Sequence, residues 1–254
     1  MDHLKGWQNM YLEDELHLSY KIGNAPLNFF PFPHFYVENI FGNSFYSAIQ
    51  ENFPSDSFLF PISKKRALPE GSYKERFVLS LDDSDLEKLP NAEFWVSLKR
   101  QLLGVSLKNF LLSRFQEVLK KYHPNLNTYE TFSEILIVKD KENYSLGPHT
   151  DNPRKLLTIL FYLPTDNSEE NNGTSIYLPK DYSFRCKGGP HYNREDFNLV
   201  YTAPFKQNSA FGFIKTDNSF HGVEKVSITN SRWLLLYDIY YRENQKKPIT
   251  SFSF

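Results

Sequence analysis

Residues 145–164 read SLGPHTDNPRKLLTILFYLP. A polar, turn-prone segment gives way to a long apolar run, and this change decides how the chain is read. In an extended strand, residues two apart point to the same face. Thr158 and Tyr162 therefore share one face, while Leu157, Ile159, Phe161 and Leu163 form a wholly apolar second face. The run is thus a strand with one face in a core and the other carrying hydroxyls. His149 and Asp151 are also two apart, at the entrance to this strand. Extended backbone there would aim an imidazole and a carboxylate at one point.

The same texture continues downstream. SEILIVK, GTSIYL, NLVYTA, SAFGFI and RWLLLYDIYY are further short strand-like runs after Pro124, separated by turn residues, with no helical pattern between them. Such spacing predicts antiparallel strands in a sandwich or barrel. The chain before Pro124 is different. HFYVENI (His34 to Ile40) and ERFVLSL (Glu75 to Leu81) read as strands, with a short helix near Ser44 to Asn52. Asn91 is placed to cap a helix ending at Leu103 before Gly104, and Ser106 to cap the next. In that second helix Leu107, Phe110, Leu111, Phe115, Val118, Leu119 and Tyr122 recur at helical spacing. The expected fold class is α+β and mainly β, with N-terminal helices packed on one sheet. The expected organisation is one domain over 1–254, with a helix-rich support at about 30–124 and a β core at 125–245.

Composition narrows the function. With 40% hydrophobic and 17% aromatic residues in 254, a large core is available. There are 29 basic and 30 acidic residues, well mixed, so no basic surface for nucleic acid is expected. The single cysteine, Cys186, excludes an intramolecular disulfide and a cysteine-rich zinc site, and fits a reducing, cytoplasmic setting. The polar N-terminus lacks the apolar segment of a signal peptide, and no apolar run is long enough to span a membrane.

A His-x-Asp pair is common in turns, and two ligands are not a metal site. His221 is the candidate third, because it follows the strand SAFGFI and a polar turn and precedes another strand. Two imidazoles and one carboxylate on one side of a metal leave three positions open, the facial arrangement of non-haem Fe(II) oxygenases. Arg232 opens the apolar run RWLLLY, where an unpaired guanidinium is costly. It is either a structural salt bridge, with Asp238 or a loop carboxylate, or a two-pronged clamp for a ligand carboxylate. A permanent acidic partner would leave no clamp. Tyr162 is either a half-buried core tyrosine or, with Thr158, part of that ligand site.

At this point the residues carry a resemblance. PHTD, RKLLTILFYLP and GTSIYLP together resemble the metal strand, the following strand and the glycine-containing turn of Fe(II)- and 2-oxoglutarate-dependent oxygenases, in the prolyl-hydroxylase branch. APFKQNSAFGFIKTDNSFHGV is similar to the segment leading to their second histidine, and FPFPHFYVENIFGNSFYSAIQENFP to their N-terminal strand and helix. The resemblance implies a double-stranded β-helix, or jelly roll, with helices on one side. It implies that His149, Asp151 and His221 bind Fe(II), and that Arg232 binds the distal carboxylate of 2-oxoglutarate with help from Tyr162, with Thr158 on the same face. The implied reaction consumes dioxygen, releases succinate and carbon dioxide, and hydroxylates a C–H bond of a small-molecule or peptidyl substrate. Three departures argue against sub-branches, though none identifies the substrate: Asp238 stands where base-dealkylating relatives have a second arginine, Leu234 where plant-type relatives have serine, and Asp151 is present where radical halogenases lack a carboxylate.

The alternatives are a cupin-like metalloenzyme that does not use 2-oxoglutarate and a non-catalytic jelly-roll binding module; Arg232 discriminates against the first and the intact three-ligand set against the second. Among other residues, His3 and His17 are expected in solvent, His34 in a structural place, and His123 at a helix C-terminus that favours a cation. His191 lies in a long polar loop of the kind that covers sites. Arg76, Tyr144 and Arg154 face either pocket or solvent. Thr165 to Gly173 reads as a solvated hairpin loop.

Overall fold

The chain is described by a computed structural model covering residues 14–66, 73–82, 84–227 and 231–243. His3 lies outside the described residues. Helix α1 spans 14–24. The strands are β1 (His34–Glu38), β2 (Phe60–Pro61), β3 (Arg76–Ser80), β4 (Tyr129–Asp140), β5 (Leu146–His149), β6 (Lys155–Tyr162), β7 (Ser175–Pro179), β8 (Phe197–Thr202), β9 (Ser209–Ile214), β10 (His221–Val223) and β11 (Arg232–Glu243). The remaining helices are α2 (Asn43–Glu51), α3 (Ile62–Lys65), α4 (Ala92–Leu102), α5 (Val105–Arg114) and α6 (Gln116–Tyr122).

The strands form two antiparallel sheets. One has seven strands in the order β1-β9-β6-β11-β4-β3-β2, and the other has four in the order β5-β10-β7-β8. The alternation of β6 sorts its side chains between two cores. Leu157, Ile159 and Phe161 join a cluster with Leu18, Ile49, Trp95 and Leu111 of the helices. Leu160 and Tyr162 join a second cluster that includes Leu234 and Leu236 of β11 and Ile176 of the other sheet. Each such side chain contributes about 1.5–3 kcal/mol on burial, so a one-residue slip of β6 would forfeit both faces at once.

The N-terminal helices depart from expectation in detail. Asn91 precedes α4 but makes no side-chain cap; it adopts the left-handed conformation, with φ 58°, and its amide donates to the Asn52 side chain. Gly104 does not end a helix in left-handed geometry but starts α5 directly, so Ser106 falls inside. The apolar stripe is broken at Phe115 into α5 and α6. Leu107, Leu111, Phe115 and Leu119 are buried, whereas Tyr122 is exposed. Among the described residues no helix is long and apolar enough to cross a membrane.

Two short strands escaped the sequence pattern and are central to the site. β5 and β10 have four and three residues, too few for a period of two to show. They pair antiparallel with His221 directly opposite His149. A second feature without a sequence signature is a bulge. β6 and β11 pair in regular register from Leu234↔Tyr162 to Ile239↔Leu157, and the next pair is Tyr240↔Lys155. Leu156 is the extra residue.

Candidate metal centre

The cross-strand pairing of β5 and β10 places the rings of His149 and His221 4.4 Å apart, centroid to centroid. Asp151 follows β5 by two residues and completes the group. His149 Nε2 lies 3.9 Å from Asp151 Oδ1, and His221 Nε2 lies 3.8 Å from Asp151 Oδ2. One ligand atom from each residue can be chosen so that all lie within 4.8 Å of one another. Residues two apart at a strand entrance thus lie together in space with the distant third.

The imidazoles are oriented for metal. His149 Nδ1 is 3.0 Å from the Gly147 carbonyl oxygen, and His221 Nδ1 is 2.9 Å from that of Ser219. A carbonyl only accepts, so each Nδ1 carries the proton and each Nε2 presents its lone pair. Burial holds both histidines below the ordinary value of 6.5, His149 well below, so both stay neutral as ligation requires. Burial alone would raise the Asp151 carboxyl, but the Lys155 ammonium, 3.2 Å from Oδ2, more than offsets it and holds the carboxyl well below the usual carboxylate range.

The three ligands line a cavity of about 830 Å³. The loop after β7 forms one wall and is docked tightly on the metal strand. Thr150 Oγ1 donates to the Cys186 carbonyl at 2.9 Å, and the Tyr192 amide donates to the Pro148 carbonyl at 2.8 Å. Two glycines permit this approach. A Cβ on Gly147 would lie 2.8 Å from the Tyr192 oxygen, and one on Gly188, at φ +135°, 2.2 Å from the Asp151 oxygen. This loop carries His191 to the cavity, where its ring lies 4.7 Å from that of His149 and its Nε2 is 2.8 Å from the Tyr73 hydroxyl. His191 is therefore a cavity residue, as the loop's length suggests. Arg154 lines the cavity from its exposed side.

The residues expected to bind a ligand carboxylate hold partners within the chain. Arg232 is fully buried and faces the core between the sheets, with its guanidinium 5.7 Å from the Tyr162 ring. Its charge already has a partner, and the partner is Asp140 rather than Asp238. Arg232 Nη1 donates to Asp140 Oδ2 at 2.6 Å, and Nε donates to the Asn172 carbonyl at 2.6 Å. The stretch read as a solvated hairpin loop thus contributes a buried acceptor. Tyr162 is fully buried, donating to Thr174 Oγ1 at 2.8 Å and accepting from the Thr174 amide at 2.9 Å. Neither Arg232 nor Tyr162 is among the residues lining the cavity, although Thr174 is. The physical reason is the cost of an unpaired buried polar group, which each of these residues avoids with a resident partner.

Asp140 has a second arginine. Arg76, on the adjacent strand β3, donates from Nε to Oδ1 at 2.6 Å and from Nη2 to Oδ2 at 2.8 Å. Arg76 does line the cavity and stacks its guanidinium 4.3 Å above the Tyr144 ring. Two guanidiniums thus share one carboxylate, and the cluster keeps one net positive charge. Arg232 Nη2 and the Tyr144 hydroxyl, both buried, have no hydrogen-bond partner among the described residues. The register Arg76↔Asp140↔Arg232 across β3, β4 and β11 builds this cluster, and nothing local in the sequence announces it beyond an acid ending the apolar run ILIVKD.

Thr158, expected at the cosubstrate site, lines the cavity beside Asp151 and Asp238. Its Oγ1 is 2.7 Å from Asp238 Oδ1 and 3.2 Å from Asp151 Oδ2. His34 is buried, with Nδ1 2.8 Å from the Phe32 carbonyl, a structural place. His123 follows α6 as expected, but burial lowers its pKa and disfavours the cation.

No family model matches the chain, and no curated protein sequence is similar to it. Solved structures are. The chain is similar to a prolyl 4-hydroxylase from Phytophthora capsici, at 18% identity and a TM-score of 0.48, over 89% of this chain and 65% of that one. It is similar to a prolyl-4-hydroxylase from Pseudomonas putida, at 10% identity and a TM-score of 0.45, over 89% of this chain and 97% of that one. It is also similar to HygX from Streptomyces hygroscopicus, solved with nickel and 2-oxoglutarate bound, at 11% identity and a TM-score of 0.43, over 82% of each chain.

Proposed function

We propose that this chain is an Fe(II)- and 2-oxoglutarate-dependent dioxygenase that hydroxylates a C–H bond of a small-molecule or peptidyl substrate. The observation that carries the reading is the His149–Asp151–His221 group, its two histidines buried with both Nε2 atoms free, open on one side to the cavity. Two imidazoles and one carboxylate suit Fe(II), and leave positions for a chelating ligand. We read the seven- and four-stranded sheets as the two faces of a jelly roll. The helices share one hydrophobic cluster with the larger sheet, which supports one folding unit.

The fit for 2-oxoglutarate rests on the far cluster. The unpartnered Nη2 of Arg232, the unpartnered Tyr144 hydroxyl and the excess positive charge around Asp140 suit a carboxylate. Arg76 would take part in the clamp expected of Arg232 alone, because it is the arginine that reaches the cavity. Iron and 2-oxoglutarate, when bound, supply the oxidising chemistry with dioxygen and yield succinate and carbon dioxide. The chain's own residues do the rest. His149, Asp151 and His221 hold the metal; Arg76 and Arg232 orient the diacid; and the loop with His191, docked on β5, restricts water.

The resident Asp140 favours one other reading, a cupin-like metalloenzyme that does not use 2-oxoglutarate, because the guanidiniums are already partnered. Anaerobic calorimetry separates the two. The oxygenase binds 2-oxoglutarate in the presence of Mn(II) or Fe(II) and releases succinate on turnover; metal binding with no 2-oxoglutarate affinity rejects it.

A further inference from the structure

Lys155 is an unusual resident of a metal site. It opens the apolar strand β6, and by strict alternation from Leu157 its side chain would point into the helical layer, with Leu156 pointing toward the metal. The bulge at Leu156 reverses both. Leu156 joins the helix-facing cluster, and Lys155 turns inward, 3% exposed. Bulges commonly re-aim a side chain beside an active site. Here the ammonium lands between two carboxylates, 3.2 Å from Asp151 Oδ2 and 2.9 Å from Asp238 Oδ1. Asp238 is itself 1% exposed at its side chain and is held by Arg66 at 3.3 Å, by Thr158 at 2.7 Å and by the Tyr240 hydroxyl at 3.3 Å.

We infer that Lys155 is a positioning residue that holds Asp151 to ligation through one oxygen, with Asp238 fixing the ammonium in place. The inference rests on the metal reading above. A carboxylate with two free oxygens can take a metal through both, which would fill a position that a chelating ligand needs. The Lys155 ammonium engages Oδ2, and the one hydroxyl proton of Thr158 goes to Asp238, so that oxygen is satisfied by the ammonium without the metal. The cost is electrostatic, since a cation beside the ligand opposes a divalent ion. Two consequences follow with opposite signs. Removing the ammonium frees Oδ2 and strengthens metal binding. Neutralising Asp238 leaves the ammonium to Asp151 alone, removes a nearby negative charge, and weakens metal binding. A purely structural ion pair would instead weaken both variants alike.

The test uses the full chain, freed of metal, titrated with Mn(II) by calorimetry and with Co(II) by absorption. Lys155→Met is expected to bind Mn(II) on the order of tenfold tighter than wild type, and Asp238→Asn on the order of tenfold weaker. The Co(II) bands of Lys155→Met should differ from those of wild type, and Lys155→Arg should return toward them. Lys155→Met with weaker or unchanged Mn(II) binding and a wild-type Co(II) spectrum overturns the inference. If Lys155→Met does not fold, Asp238→Asn and Lys155→Arg decide: equal affinity in Asp238→Asn and wild type overturns it, and weakened binding in Asp238→Asn with wild-type affinity in Lys155→Arg supports it. A wild-type protein that takes up no metal, or whose binding survives His221→Ala, overturns the metal reading and this inference with it. Metal binding without 2-oxoglutarate affinity overturns only the cosubstrate reading, and the Lys155→Met comparison still decides the role of Lys155.

Discussion

Asp140→Asn perturbs the buried charge cluster in the most informative way. The carboxylate is fully buried and accepts three short hydrogen bonds, two from Arg76 at 2.6 and 2.8 Å and one from Arg232 at 2.6 Å. Asparagine keeps the shape and one acceptor. Even in its better orientation, with oxygen kept toward Arg76 Nη2 and Arg232 Nη1, its amide nitrogen faces Arg76 Nε donor to donor, and no counter-charge remains between two buried guanidiniums. Breaking a buried pair by removing one partner costs about 3–5 kcal/mol, and a chain of this size loses about 2–4 °C per kcal/mol, so the melting temperature should fall by roughly 6–20 °C. The cluster moves from one excess positive charge to two. A ligand carboxylate should then restore what asparagine cannot. Scanning calorimetry with and without millimolar 2-oxoglutarate should show a larger stabilisation of Asp140→Asn than of wild type. A melting temperature within about 2 °C of wild type would refute the structural argument. A large fall with no extra stabilisation by 2-oxoglutarate would show that the two arginines do not meet the ligand.

Other outcomes follow from the same geometry. Alanine at His149, Asp151 or His221 should each weaken Mn(II) binding by about a hundredfold or more, because three ligands become two; calorimetric affinity near that of wild type for any one removes it from the site. Arg76→Met and Arg232→Ala should each weaken 2-oxoglutarate on the order of tenfold in the Mn(II)-loaded protein, with Mn(II) affinity little changed, and Arg232→Lys should recover only part of the loss because it cannot supply two parallel bonds. Each leaves Asp140 one arginine, so folding should survive, which circular dichroism checks. Burial lowers the pKa of His34, His123, His149, His191 and His221 below 6.5 in the folded chain. The unfolded chain therefore takes up protons first, so the metal-free protein should keep its stability above about pH 6.5 and lose it as the pH falls below that value; a melting temperature that rises from pH 7.5 to pH 5.5 in the presence of a chelator contradicts this.

Periodicity made β6 and β11 legible, because eight and twelve residues are enough for an alternating pattern. The same signal could not reveal β5 and β10, whose roles rest on tertiary pairing. His149, Asp151 and His221 were legible for a different reason, since ligand chemistry narrows the candidates before geometry is known. Arg232 was recognised as a buried charge but its partner was not, because Asp140 lies 92 residues away in sequence and meets it only through strand register. Arg76 was undecidable for the same reason. Lys155 was hidden most thoroughly, since a bulge reverses its face and local sequence gives no count of the residues opposite.

The two ends of the site carry opposite charge before any metal binds. At the metal end, Lys155 and Arg66 stand against Asp151, Asp238 and Glu134, which leaves an excess of one negative charge. At the far end, Arg76 and Arg232 stand against Asp140, which leaves an excess of one positive charge. A diacid arriving first would meet attraction at one end and repulsion at the other. A divalent ion reverses the sign of the metal end, after which both ends attract carboxylates. Under the proposed function this arrangement favours metal before diacid, through the balance of charges at the two ends rather than through any moving part. Asp140 is integral to this order. With it, the far end is positive enough to hold an anion yet not so positive that two arginines repel each other in the unliganded protein.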